Sequence, residues 1–219
     1  SGNCYVITSE NTCILVDAGI SGKQIFQGLD ALNRSFIDAV LVTHEHSDHI
    51  KGLKALKSKG VKIYANSKTS DALREIGLEI EPEIFVTGDT LTIGDIEISS
   101  FSVSHDAADP SGFSFAKDGV CISIITDTGY VTPDCYKYMQ RADILVLESN
   151  HDESMLRVGR YPWFLKQRIL GEKGHLSNDA AAAALLRILT NGNEIKLKTV
   201  LLAHLSAENN FPEMALQTV

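Results

Sequence analysis

The chain has 219 residues, 44% of them hydrophobic, which suits one ordinary globular domain (1–219) with a sizeable core. Its formal net charge of −8 argues against broad, non-specific attraction to nucleic acid but leaves room for a local basic track. No apolar run approaches ~18 residues and no basic-then-apolar leader opens the sequence, so a cytoplasmic protein without a membrane span is expected. Cys4, Cys13, Cys121 and Cys135 form no C-x-x-C pair and lie in or beside apolar runs. They read as free thiols in a reducing compartment, with a Cys4–Cys13 bridge as the alternative. A start at Ser1 without Met, and an end at Val219 inside an apparent helix, suggest trimmed termini.

In chain order, Cys4–Thr8 and Cys13–Asp17 read as a hairpin around a polar turn. Asp17 closes it and reads from the local sequence as a turn-capping acid. Residues 22–32 place Ile25, Leu29 and Leu32 on one helical face. The apolar run Ala39–Val42 then leads into Thr43-His44-Glu45-His46-Ser47-Asp48-His49, and residues 50–57 continue as an amphipathic helix that stops at Gly60. Further on, a strand at 61–65, a helix at 67–76 and strands at 84–86, 91–93 and 96–103 lead to His105. A hairpin at 112–117 and 120–126, turned by Asp118-Gly119, ends at Asp127. A helix at 133–140, a strand at 144–148, a helix at 178–190 and a strand at 199–202 before His204 complete the pattern. Strands alternating with helices, and no linker, imply one α/β domain.

His44, His46, Asp48 and His49 are a donor set that suits Zn²⁺, Mn²⁺ or Fe²⁺. His44 and His46, two apart on extended chain, point the same way, while Asp48 and His49 fall at a helix start and aim elsewhere. That spacing points to two ions. The helical protease motif is excluded, because position 48 is Asp where that motif needs a second His.

His44-x-His46-x-Asp48-His49, followed by His105, Asp127 and His204 after apolar strands, resembles the signature of the metallo-β-lactamase superfamily. The resemblance implies an αββα sandwich, with two facing mixed β-sheets and helices outside. It also implies a ligand set for two divalent ions: His44, His46 and His105 for one, Asp48, His49 and His204 for the other, and a bridging Asp127. A water shared by two cations becomes the nucleophile near neutral pH, so Asp48 and Asp127 count as catalytic as well as ligating. An acid at 127, where the commonest β-lactamases carry Cys, argues against antibiotic hydrolysis.

Gly2-Asn3-Cys4, Tyr161-Pro162-Trp163-Phe164-Leu165-Lys166 and Gly174-His175-Leu176-Ser177-Asn178 together resemble the bacterial WalJ/YycJ subgroup. This implies a 5′-to-3′ exonuclease on double-stranded DNA, with a thioester hydrolase of the glyoxalase type or an RNA or small-molecule phosphodiesterase as alternatives. In the resembled family an acid near the metals stands at the position of Asp17, which implies support for a ligating imidazole. A histidine beside the metals, as the resemblance implies for His175, can supply the proton that an alkoxide leaving group needs. The other reading of His175 is a helix-terminal residue; His151, beside Asp152, reads as a surface residue. Arg157, Arg160, Lys166, Arg168 and Lys173, with only Glu172 opposing, make residues 154–175 locally basic, and Tyr161, Trp163 and Phe164 are interleaved. Such a segment can track a nucleic-acid strand. Equally, it can be a helix burying Phe164, Leu165 and Ile169 while its charges face water.

Overall fold

The computed structural model describes residues 2–191 and 195–219. The chain forms two compact units, one running to Ser100 together with Ala107–Ser111, the other made of Phe101–Asp106 and Gly112 onward.

The first unit contains β1 (Tyr5–Thr8), β2 (Cys13–Val16), α1 (Gly22–Ala31), β3 (Ala39–Leu41), α2 (Ser47–Ile50), α3 (Leu53–Ser58), β4 (Lys62–Asn66), α4 (Ser67–Glu75), β5 (Glu83–Phe85), β6 (Thr90–Ile93) and most of β7 (Ile96–Ser102). A five-stranded sheet runs β1-β2-β3-β4-β5. β1 and β2 are an antiparallel hairpin, and β2 to β5 are parallel. Parallel strands are covered on both faces, which is why Cys-Ile-Leu-Val in β2 and Ala-Val-Leu in β3 are buried at every position. The register pairs Val16 with Leu41. Asp17 and the histidine-rich loop therefore leave the same edge of the sheet. α1 starts with a reciprocal capping box between Ser21 and Gln24 and turns Ile25 and Leu29 into a core with Leu15, Val40, Leu53 and Leu56.

The helix expected over 50–57 is two pieces, α2 and α3. Between them Gly52 donates its N–H to Ala18 O at 2.6 Å, and a Cβ there would lie 2.7 Å from Ile20 O. The break lets the His49 carbonyl accept from Ala18 N at 2.7 Å.

The second unit holds β8 (Ser111–Lys117) from Gly112 on, β9 (Val120–Ile125), α5 (Pro133–Arg141), β10 (Ile144–Glu148), α6 (Glu153–Val158), α7 (Trp163–Leu170), α8 (Asn178–Thr190), β11 (Thr199–Ala203) and α9 (Pro212–Thr218). The six-stranded sheet has the order β11-β10-β9-β8-β7-β6. Asp118 and Gly119 both have positive φ (50° and 80°), as the expected tight hairpin turn requires. β9, β10 and β11 are parallel, with Leu147 opposite Ile125 and Glu148 opposite Ala203. Their carboxyl ends thus align, setting Asp127, Glu148 and His204 at one edge, where α/β sheets place their chemistry. Helix α6 was not anticipated; Asp152, read as a neighbour of a surface histidine, is its N-cap and accepts from Met155 N. No helix of the described residues is long and apolar enough to cross a membrane.

Candidate active site

In the first unit, extended backbone through Val42–His46 brings the His44 and His46 rings edge to face at 4.6 Å between centroids, and the turn into α2 returns His49 to within 4.1 Å of His44. Asp17 is fully buried and accepts three hydrogen bonds: His49 Nδ1 at 2.7 Å, Thr43 N at 2.8 Å and Thr43 Oγ1 at 2.8 Å. Thr43 Oγ1, having given its proton to Asp17, accepts from His44 Nδ1 at 2.9 Å. Both imidazoles are thereby fixed with the proton on Nδ1 and the lone pair on Nε2, the tautomer of a metal ligand supported from behind. Of the two readings of Asp17, the hydrogen bond from His49 fits the support of an imidazole.

The amino terminus is stitched to this loop. Asn3 N donates to Asp48 O and Gly19 N to Asn3 O, at 2.8 and 2.7 Å. A Cβ on Gly19 would sit 1.7 Å from Asp48 O and 2.5 Å from Asn3 N. We expect Gly19→Ala to force these segments apart, costing at least about 1–3 kcal/mol as overpacking does. Thermal unfolding with and without added Zn²⁺ checks it, and an unchanged midpoint would contradict the stitching.

The second unit gathers His105, Asp127, His175 and His204 around a residue the sequence reading passed over. Glu148, fully buried at the end of β10, accepts from His175 Nδ1 at 2.7 Å and His204 Nδ1 at 2.9 Å on one oxygen, and from Thr128 N at 2.8 Å on the other. Burial alone would raise its pKa, but the two imidazoles hold the carboxyl down to about 2. His175 shows the converse: burial would lower its pKa, yet the charge and hydrogen bond of Glu148, with Asp127, raise it above the ordinary value. Asp127 Oδ1 stands 3.5 Å from His204 Nε2 and 3.9 Å from both His105 Nε2 and His175 Nδ1. His105 gives Nδ1–H to Gly174 O at 3.0 Å, and burial lowers its pKa, both of which favour a neutral ligand. The sequence signal for Glu148 was present in one form only, an acid closing an otherwise all-apolar strand.

The Glu172–His175 loop is held closely. Gly129 donates to Ser104 O, Ser104 Oγ to Glu172 O and His175 N to Ile169 O, at 2.8, 2.8 and 3.0 Å. A Cβ on Gly129 would approach Glu172 O to 2.2 Å, and one on Gly174 would approach Ile169 O to 2.2 Å. Three site residues, Asp17, Asp127 and His204, carry left-handed backbone at φ 60°, 57° and 56°. Each directly follows, or lies two residues after, the end of a sheet strand. Non-glycine residues hold such angles at a cost, which concentrates at functional positions.

His151 is buried at 1% exposure, not a surface residue, because residue 151 bridges to Ser177 in parallel and α6 begins directly after it. The five expected substrate-binding cations are in different states. Lys166 is buried and donates to the carbonyls of Arg157 and Gly159, both at 2.7 Å, so its charge serves the loop and not a phosphate. Arg157 pairs with Glu153 at 3.1 Å and Arg168 with Asp106. Arg160 and Lys173 are exposed. Phe164, expected to pack inward if the segment were merely a helix, is 74% exposed and Trp163 68%, while Ile169 is buried.

The chain matches the β-lactamase superfamily domain over residues 12–197, a span that enters both units. It is 44% identical over 227 aligned positions to "Exodeoxyribonuclease WalJ" of Streptococcus pneumoniae serotype 2 strain D39, covering all of this chain and 83% of that protein. It is 43% identical to "Exodeoxyribonuclease YycJ" of Bacillus anthracis, covering 84% of it. Among solved structures, the metallo-β-lactamase fold protein YhfI from Bacillus subtilis superposes with a TM-score of 0.74 at 20% identity, over 100% of this chain and 84% of that one. That likeness shows a shared fold.

Proposed function

The chain belongs to the β-lactamase superfamily, and we propose that it is a metal-dependent phosphodiester hydrolase which digests double-stranded DNA as a 5′-to-3′ exonuclease. Residues 1–219 are taken as one metallo-β-lactamase-like domain.

The donor chemistry fits divalent ions. His44 and His49 in the first unit and His105 and His204 in the second each commit Nδ1 to an acceptor of the protein, which leaves Nε2 for a cation. We assign His44, His46 and His105 to one ion, Asp48, His49 and His204 to a second, and Asp127 to both, with zinc or manganese as the occupants. When bound, the ions supply Lewis acidity that neutralises phosphoryl oxygens and makes water acidic.

The observation that carries the reading is the Glu148–His175 pair. With Nδ1 held by the Glu148 carboxylate, whose charge raises the His175 pKa and so favours the imidazolium, Nε2 of that form can give a proton to a departing oxygen. A phosphodiester releases an alkoxide, which needs that proton. A thioester releases a thiolate of ordinary pKa ≈ 8.5, which leaves without it. The pair therefore favours phosphodiester over thioester hydrolysis, and the exodeoxyribonuclease relatives supply the choice of DNA.

His175→Ala is expected to slow phosphodiester turnover about 10²- to 10⁴-fold, the usual contribution of a general acid, with metal content unchanged. The assay uses end-labelled single- and double-stranded DNA and RNA with Zn²⁺ or Mn²⁺, beside bis-p-nitrophenyl phosphate and a glutathione thioester. Unchanged DNA turnover in the variant, or a wild-type preference for the thioester, rejects the assignment; bis-p-nitrophenyl phosphate, whose nitrophenolate leaves without a proton, reports the diester chemistry and not His175.

A further inference from the structure

An exonuclease must tell the end of a duplex from its interior, and what an end offers uniquely is the uncovered face of its last base pair. That face is flat and apolar, with phosphates on either side. The α6–α7 segment presents the complementary surface. Trp163 and Phe164, consecutive in the first turn of α7, stand 68% and 74% exposed, and Val158 just before them 87%. Apolar rings left in water forgo the stabilisation that burial would give them. They are nonetheless held firmly. The buried Lys166 ammonium ties the carbonyls of Arg157 and Gly159 to α7, and a Cβ on Gly159 would lie 2.7 Å from Asn209 Oδ1. The exposed cations Arg160 and Lys173 belong to a stretch, residues 154–175, that is locally basic within this −8 chain.

We propose that Trp163 and Phe164 form a platform on which the terminal base pair of a DNA duplex stacks, with Arg160 and Lys173 meeting the flanking phosphates. The proposal rests on the nuclease reading above and adds to it how an end is recognised. α7 has eight residues, hence a length of about 12 Å at 1.5 Å per residue. Its last turn gives the Ile169 carbonyl to His175 N and leads into the loop whose Gly174 carbonyl holds His105. An end seated on the platform is therefore within about four nucleotide steps of that loop, at 3.4 Å per step.

Trp163 is the chain's single tryptophan, so its emission reports the contact directly. The metal-loaded protein is titrated with a phosphorothioate-linked blunt duplex and with a covalently closed duplex circle of the same sequence. Blunt duplex should quench the indole and the circle should not. In steady-state digestion, W163A and F164A should each raise KM for blunt duplex about 5- to 100-fold, the range of stacking on one base. Hydrolysis of bis-p-nitrophenyl phosphate should be unchanged. Equal quenching by the circle, or unaltered KM in both variants, overturns the platform while leaving the nuclease reading intact. The same holds if W163A/F164A turns a dimer into a monomer in sedimentation with KM unaltered, because the patch then belongs to a second copy. A wild-type protein that cleaves the small diester but no DNA, with silent Trp163 emission, overturns both readings.

Discussion

Alanine at Asp127 is expected to abolish phosphodiester turnover, by about 10³-fold or more, and to lower metal content. The carboxylate stands within 3.5–3.9 Å of three imidazoles of its unit and is the donor assigned to both ions. Removing it deprives the transition state of several kcal/mol of charge stabilisation, and each 1.36 kcal/mol is tenfold in rate. Asn separates chemistry from folding. It tolerates left-handed backbone as Asp does, so Asp127→Asn should keep the wild-type unfolding midpoint while losing activity. Metal analysis, circular dichroism and turnover of a labelled duplex check the pair of variants. A turnover loss under tenfold in Asp127→Ala would remove Asp127 from the mechanism.

Glu148→Ala should cost more than His175→Ala, because one carboxylate fixes two imidazoles. A loss of about 10³- to 10⁶-fold is expected, combining the acid's 10²- to 10⁴-fold with the 10- to 100-fold usual when a ligand loses its orienting partner. Glu148→Gln keeps the shape and removes the charge, so its diagnostic is the pH profile. The Glu148 charge holds the His175 pKa above the ordinary 6.5, against the opposing pull of burial. The acid form is therefore populated below that raised pKa, and turnover falls as pH rises through it. In Glu148→Gln the fall should move to lower pH. An alkaline limb that stays in place would mean that another group supplies the proton.

How much of this was open to reading from the sequence differs by residue. The seven proposed ligands were visible because each follows an apolar strand, and strand ends are where a sheet gathers its side chains. Apart from the broken helix over 50–57 and the unanticipated α6, element positions held to within a residue or two for the same reason, since periodicity marks buried faces. Glu148 was hidden because its partners are 27 and 56 residues distant, and no spacing rule joins them. Lys166 shows the opposite failure. Its charge is plain, but whether an ammonium meets water or two backbone carbonyls depends on how a loop closes. His151 looked solvent-facing beside Asp152, until that acid proved to be a helix cap and the imidazole a buried neighbour. Phe164 could not be assigned by periodicity, since a ring offered outward and a ring packed inward obey the same helical spacing.

The left-handed backbone at Asp17, Asp127 and His204 sets a limit on improving this molecule. Each such position costs of order 1 kcal/mol or more, in a chain whose whole margin over the unfolded state is expected to be about 5–15 kcal/mol. Glycine accepts these angles without steric penalty, so exchanging Asp127 or His204 is a route to greater heat tolerance, whereas at Asp17 it would strand the three buried donors that the carboxylate answers. Selection for thermal survival alone would therefore drift toward well-folded proteins stripped of a donor, and only a screen that demands hydrolysis at every round would hold the His204 imidazole and the Asp127 carboxylate in place.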